Sequence, residues 1–289
     1  MNSIGSLFVL FFVNPTMNVL SAIYHLLVLL HIPYPLGFSI VLLTVVIRLV
    51  LYPLTTAQLK SQKKMQELAP KIKRLKELHK KDAQKIQAET MKLYKEHGIN
   101  PAAGCIPILI QLPFMIGLYN VFQNVVNSNG AHMVSFINNA MYFPALRTVH
   151  PWDTNFFGLT LAQSPSHLFK ILGPVILLIP IITALLQFVQ AKMMVPVVKA
   201  DEVGLEEIQK EKGELTEGKK KEDDFATAMQ TQMLYMSPLL FAYLGFQFAI
   251  GLSLYYNTFT IFGIIQQYRI AGIGGLEEWI NNIKKRIYG

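Results

Sequence analysis

One arginine interrupts an apolar run, GFSIVLLTVVIRLVLYPL (Gly37 to Leu54), and its presence there needs a reason. On a continuous helix Arg48 lies 12 residues before Lys60, the next basic residue, about 18 Å, which is further than an extended side chain reaches by snorkelling. Holding arginine at mid-membrane costs about 2.5–3.5 kcal/mol on insertion scales. No Asp or Glu falls inside the long apolar runs, so water or neutral dipoles must satisfy the cation. Such dipoles recur at helical spacing. Thr44 stands one turn before Arg48; Thr183, Gln187 and Gln190 form one stripe; Ser253, Asn257 and Thr260 form another; Gln111, Asn120, Gln123 and Asn124 share a further run. Helices that turn these stripes inward would enclose a wet cavity around one fixed positive charge, whose chemistry is attraction of acidic groups rather than bond making. The competing role for each stripe is interhelical hydrogen bonding, worth about 0.6 kcal/mol per bond.

The elements that must position these residues are apolar blocks of membrane-spanning length. Of the 289 residues 52% are apolar and 15% charged, against about 25% charged in soluble proteins. Five blocks stand out, near residues 38–57, 104–126, 171–191, 232–249 and 251–268, and they exclude a single soluble core. Basic residues orient them. Residues 1–37 contain no Lys or Arg and 127–170 contain only Arg147 and Lys170, whereas 58–100 contain twelve, 192–228 seven and 269–289 four. The last three segments are therefore expected in the cytoplasm, with the N-terminus and residues 127–170 outside.

This predicts an all-α membrane protein whose transmembrane helices cover 37–57, 101–126, 171–191 and, as a pair, 232–268. Residues 58–100 read as a basic cytoplasmic two-helix hairpin turning near Lys80 to Ala83, with Leu68, Ile72, Leu75, Ile86 and Leu93 on its apolar faces. Its excess charge suits anionic lipid headgroups or, more specifically, ribosomal RNA. Residues 192–231 read as a charged cytoplasmic loop, mobile from Lys199 to Asp224, and 269–289 as a basic tail. In residues 1–36, LFVLFFV (Leu7 to Val13) lacks the basic flank of a cleaved signal. Asn14, Asn18, Ser21 and His25 then form a polar stripe that predicts a helix lying flat on the outer interface, with an extra crossing as the rival.

Other function classes fit poorly. The seven His residues (His25, His31, His79, His97, His132, His150, His167) lie outside the blocks without ligand spacing, and the single cysteine, Cys105, has no obvious partner. No metal, cofactor, catalytic group or small-molecule substrate is therefore expected. AGIGG (Ala271 to Gly275) lacks the lysine of a phosphate-binding loop. A secondary transporter or channel remains the alternative, although the chain shows neither repeat symmetry nor paired ionisable residues.

Four stretches, in order, resemble the YidC-type membrane protein insertases of the YidC/Oxa/Alb superfamily: the run around Arg48, ELAPKIKRLKE, NPAAGCIPILIQLPFMIGLYNVF (Asn100 to Phe122) and GLSLYYNTFTIFGIIQQY (Gly251 to Tyr268). The resemblance implies five transmembrane helices around a hydrophilic groove open to cytoplasm and lipid and closed to the outside, in a bacterial plasma membrane. It also implies that Arg48 attracts acidic residues of client tails, with Gln187 and Asn257 on the groove wall. Its implied partners are nascent membrane proteins, the lipid bilayer, ribosomes at the hairpin and the tail Lys284, Lys285 and Arg286, and a Sec translocon in some reactions. The outer segment 127–170 is longer than the family leads one to expect, and the acidic insertion after Lys199 is unusual.

Overall fold

The computed structural model describes residues 7–79, 82–99, 106–126, 130–195 and 220–288. They form two compact units, one of residues 1–52, 105–187 and 238–263, the other of 53–104, 188–237 and 264–289. Both are helical, apart from one small hairpin in the first.

The first unit begins with a π-type turn, Val9–Val13, that runs straight into α1 (Asn14–Leu29). The polar stripe of α1 does not face water as expected: Asn18 and Ser21 are buried against the protein's own backbone. Asn18 donates through Nδ2 to the Ala140 carbonyl (2.7 Å) and accepts from the Tyr142 amide (2.8 Å), and the Ser21 hydroxyl donates to the Leu146 carbonyl (2.7 Å). The physical reason is that residues 140–146 have few partners of their own, and buried backbone groups must be paired. What α1 exposes instead is Val19, Ala22, Leu26 and Leu29, an apolar stripe. The stretch Val9–Leu29 has the length and composition to cross a membrane, as the rival expectation required.

A short turn leads to α2 (Pro35–Val50), which ends at Leu51 rather than continuing to residue 57. Pro53 explains the break, since it lacks an N–H and its ring clashes with the carbonyl four residues earlier. The expected first span is therefore α2 followed by a separate helix, α3 (Tyr52–Glu67). Leu36, Ile40, Leu43 and Ile47 are buried along one face of α2, while Leu42, Val46, Leu49 and Val50 are exposed along another.

After α6 (Ile106–Val126) the segment expected outside is, from residue 130 on, built rather than looped. It contains α7 (Gly130–Ala140), a 3₁₀ turn at Pro144–Leu146, an antiparallel hairpin of β1 (Asn155–Phe156) and β2 (Leu159–Thr160), and α8 (Pro165–Leu172). The Ser164 hydroxyl caps α8 by accepting from the His167 amide. Gly173, at φ +67°, and Pro174 turn the chain through a 3₁₀ segment into α9 (Leu178–Met194). Residues Pro165–Met194 together pass as a candidate span by length and hydropathy, which begins before residue 171. The unit is completed by the parts of α10 (Lys220–Gln247) and α11 (Ile250–Ala271) on either side of Phe248 and Ala249. Helix α10 starts inside the segment read as a charged loop; the rest of that segment, residues 196–219, lies outside the described residues.

In the second unit α4 (Ala69–Leu78) packs against α5 (Ala83–Glu96); the expected turn at Lys80 and Lys81 lies outside the described residues. The Asp82 carboxylate caps α5 by accepting from the Lys85 amide at 3.0 Å, and α3 precedes the pair as a third helix. Gln66 donates to the Met194 carbonyl, and Phe188 packs its ring near Tyr235 and Trp279. The chain closes with α12 (Leu276–Tyr288).

Candidate functional site: a buried arginine between helices α2 and α11

The apolar core of the first unit draws on several of its helices. It takes Val13, Met17 and Leu20 from α1 and its lead-in, Leu36, Ile40 and Leu43 from α2, Leu118, Val121 and Phe122 from α6, and Ile250, Leu252 and Tyr255 from α11. Two close approaches depend on glycine: a Cβ on Gly251 would lie 2.2 Å from the Phe122 ring, and one on Gly37 would lie 2.0 Å from the Phe156 ring. The amides of Ile250 and Gly251, which the start of a helix leaves unpaired, donate to the carbonyls of Gln163 (2.9 Å) and Leu161 (2.8 Å). The segment just after β2 thus caps α11 directly.

Polar residues follow further along the same helices. Arg48 is 5% exposed, and its guanidinium carbon sits 3.4 Å from the centroid of the Phe259 ring. One terminal nitrogen also donates to the Phe259 carbonyl, and Phe262 lies further off, its centroid 5.9 Å from that carbon. These partners are neutral, as the lack of acidic residues required. The arginine Nε is buried without a hydrogen-bond partner among the described residues. Thr44, one turn earlier and fully buried, donates to the Ile40 carbonyl of its own helix rather than orienting the arginine.

The remaining expected residues divide into three groups. Gln187 donates to the Thr260 hydroxyl at 3.0 Å, and Gln111 donates to the Tyr255 hydroxyl, so these four join α9 and α6 to α11. Each of these is an interhelical bond of the kind that holds membrane helices together. Thr183 and Ser253 flank Gly245 in a small pocket shared with Phe241, Phe248 and Tyr256. Their hydroxyls donate to the carbonyls of Ile179 and Gly245. Asn257 Oδ1 and Gln111 Oε1 are buried acceptors without partners among the described residues. Gln190 belongs to the second unit and joins none of these contacts. Asn120 and Asn124 bond to carbonyls of their own helix.

The residues that sequence reasoning missed are aromatic. Phe259 is the principal partner of Arg48, and Tyr255, fully buried, stacks beside it with ring centroids 6.0 Å apart. Both stand in the quoted LYYNTFTIF stretch, at i and i+4, but a search for polar dipoles passes over rings that can hold a cation. A second buried polar cluster also escaped notice: in the other unit Gln266 donates to the hydroxyls of Thr55 (2.8 Å) and Thr56 (3.1 Å).

Long apolar helices carrying a buried cation and neutral interhelical hydrogen bonds define a helical membrane protein. The chain belongs to the 60Kd inner membrane protein family, whose model matches residues 28–274. Among curated relatives, the membrane protein insertase YidC of Wolinella succinogenes is 44% identical over 103 residues, 36% of this chain and 19% of that one. The YidC insertase of Chlamydia caviae is 30% identical over 80% of this chain and 25% of its own. The chloroplastic inner membrane protein ALBINO3 of Arabidopsis thaliana is 29% identical over 85% and 48%. The chain thus spans less than half of each of these relatives. A crystal structure of an active YidC insertase shares the fold, with TM-score 0.52 and 22% identity over 93% of this chain and 47% of that one.

Proposed function

We propose that the protein is a membrane protein insertase that passes hydrophilic client tails through a polar groove and releases hydrophobic segments into lipid. The observation that carries this reading is Arg48, buried on neutral partners with its Nε unpaired among the described residues. A buried donor left without a partner costs about 1–3 kcal/mol, which a water or a client carboxylate would recover. Moving a polar tail across dry hydrocarbon costs several kcal/mol for each unpaired group, and a polar half-channel shortens that path. The fixed cation would favour acidic residues of the tail at its end. Client hydrophobic segments then leave sideways, driven by burial of their own apolar surface, with no nucleotide or metal involved.

In this reading α2, α6, the α8–α9 segment, the part of α10 beyond Pro238, and α11 are the five crossings. The N-terminus is outside and the C-terminus is in the cytoplasm of a bacterial cell. The groove wall comprises Arg48, Thr44, Gln111, Thr183, Gln187, Ser253, Asn257 and Thr260, to which we add Tyr255 and Phe259. The basic hairpin and tail would receive clients and ribosomes, with a Sec translocon as an occasional partner.

The test is insertion by purified protein in liposomes. Arg48→Ala should slow clients with acidic tails about tenfold, or 1.4 kcal/mol, and affect neutral-tailed clients much less. That is a modest share of the ~4 kcal/mol that two charges exchange at 4 Å near a protein surface. Equal rates for both client classes would refute the electrostatic role. Solute flux without any client would favour a transporter.

A further inference from the structure

The outer hairpin carries a feature that the insertase reading leaves unused. β1 and β2 pair Phe156 with Leu159, leaving Phe157 and Gly158 as a two-residue loop with φ of +51° and +83°. Positive φ at both positions is the type I′ turn, whose first position favours Asn, Asp or Gly. A phenylalanine there is strained, and it is 67% exposed. Backbone strain combined with an exposed ring points to function more than to packing.

The ring is one of four. Phe157 lies 4.9 Å from Tyr34 and 4.8 Å from Phe156, and 6.4 Å from Phe38. Phe156 packs 5.6 Å from Phe38 and rests on α2 where Gly37 leaves room for it. Phe38 in turn heads the stripe Phe38, Leu42, Val46 and Leu49, spaced four, four and three residues apart. Leu42, Val46 and Leu49 are 42%, 42% and 57% exposed. The aromatic cluster therefore continues the outward apolar face of α2 at its N-terminal end. Basic residues are scarce nearby, with none in 1–37 and only Arg147 and Lys170 in 127–170.

We propose that Phe157, with Phe156, Tyr34 and Phe38, is an interfacial anchor that seats in the headgroup–acyl boundary of the outer leaflet. Aromatic rings favour that layer, and continuity with the exposed stripe of α2 identifies lipid as the occupant. The anchor would also set a depth. From Phe38 to Arg48 is ten residues, about 15 Å of helix, or half of a hydrocarbon layer of about 30 Å. A ring cluster held at the boundary thus holds the guanidinium near mid-membrane.

This inference rests on α2 being a span, and the experiment separates the two. Nitroxide labels are placed one at a time at Phe157→Cys, Leu42→Cys and Asp153→Cys in a Cys105→Ala background, with the protein in phospholipid vesicles. Accessibility to oxygen and to a water-soluble nickel chelate is then read. The anchor predicts an oxygen-favouring label at 157, as at 42, and a nickel-favouring one at 153. A nickel-favouring label at 157 with 42 in lipid overturns the anchor alone. Nickel-favouring labels at both overturn the spanning reading of α2. A label at 157 shielded from both reagents would mean a protein partner or second copy covers the tip, which also overturns it. Phe157→Asn, better suited to the turn, should fold normally and shift the depth of the label at 42. An unchanged depth would count against anchoring.

Discussion

Replacing Arg48 by Met tests whether the arginine is kept for function or for stability, because the two sides of its energy nearly cancel. The substitution removes a guanidinium 3.4 Å from the Phe259 ring centroid and its bond to the Phe259 carbonyl. A desolvated cation–π contact is worth about 2 kcal/mol, and a hydrogen bond from a charged donor about 1.5–3 kcal/mol. Against this loss of roughly 3.5–5 kcal/mol stands the relief of a mid-membrane cation, about 2.5–3.5 kcal/mol, and of its unpaired Nε, about 1–3 kcal/mol. The sums match within a few kcal/mol. Met has a similar length, and its sulfur packs acceptably against a ring. The expected outcome is a thermal midpoint in detergent within a few degrees of the parent, together with loss of the preference for acidic client tails. A midpoint lowered by 10 °C or more would show that the arginine is a structural rivet, and insertion of acidic-tailed clients at the parental rate would remove its proposed role.

Arg48→Lys should keep most of the insertion activity, because the charge persists, but lower the midpoint, because an ammonium cannot stack on the Phe259 ring and reach its carbonyl in the same way; parallel activity and melting measurements check this. Asn18→Ala deletes bonds to the backbone of Ala140 and Tyr142; a destabilisation of about 2–3 kcal/mol should appear as faster hydrogen exchange in residues 140–148. Gln187→Leu breaks the bond to Thr260 and should cost about 0.6 kcal/mol with little change in insertion if the pair only joins helices, whereas a large loss of insertion at unchanged stability would place it on the client path. Deleting residues 61–96 should impair insertion while the remaining helices still assemble, as judged by circular dichroism and gel filtration in detergent.

Much of this organisation could be read from the chain before any coordinates. Arg48 announced itself because a cation within an apolar run carries a free-energy cost that sequence alone reveals, and the basic hairpin followed from charge and heptad spacing. The partner of Arg48 was not legible, because a ring that holds a cation looks like any other apolar residue until two helices are packed. The stripe of Asn14, Asn18, Ser21 and His25 was seen but misdirected. Periodicity says that polar residues share a face, and cannot say whether water or the unpaired carbonyls of a distant segment will satisfy it. The break after Val50 was signalled by Pro53, yet the apolar run passes through it without interruption, so hydropathy overrode the proline. The β1–β2 hairpin, two residues per strand, falls below the length at which alternation can be recognised.

These details converge on an asymmetry along the helices of the first unit. On α2 the buried apolar residues Leu36, Ile40 and Leu43, with Ser39 buried among them, precede Thr44 and Arg48, and Ile47 is buried between those two; on α11 Ile250, Leu252 and Tyr255, with Ser253 buried among them, precede Asn257. Helix α6 shows the same division in reverse order, with Gln111 preceding Leu118 and Phe122, as a helix running the other way must. The apolar end is also where Gly251 admits the Phe122 ring and where backbone amides of α11 are tied to Leu161 and Gln163. At that end Gly251 lets the Phe122 ring pack close to α11, and opening it to water would separate that contact. The other end, with the buried acceptors of Asn257 and Gln111 and the donor of Arg48 unpaired, gains free energy from any polar group that enters. If the proposed groove occupies the polar half, a client tail would have only about half the hydrocarbon layer to cross unaided. That combination would require the arginine to sit near the boundary between the two halves, and Arg48 follows Leu43 by five residues, about 1.4 turns of helix.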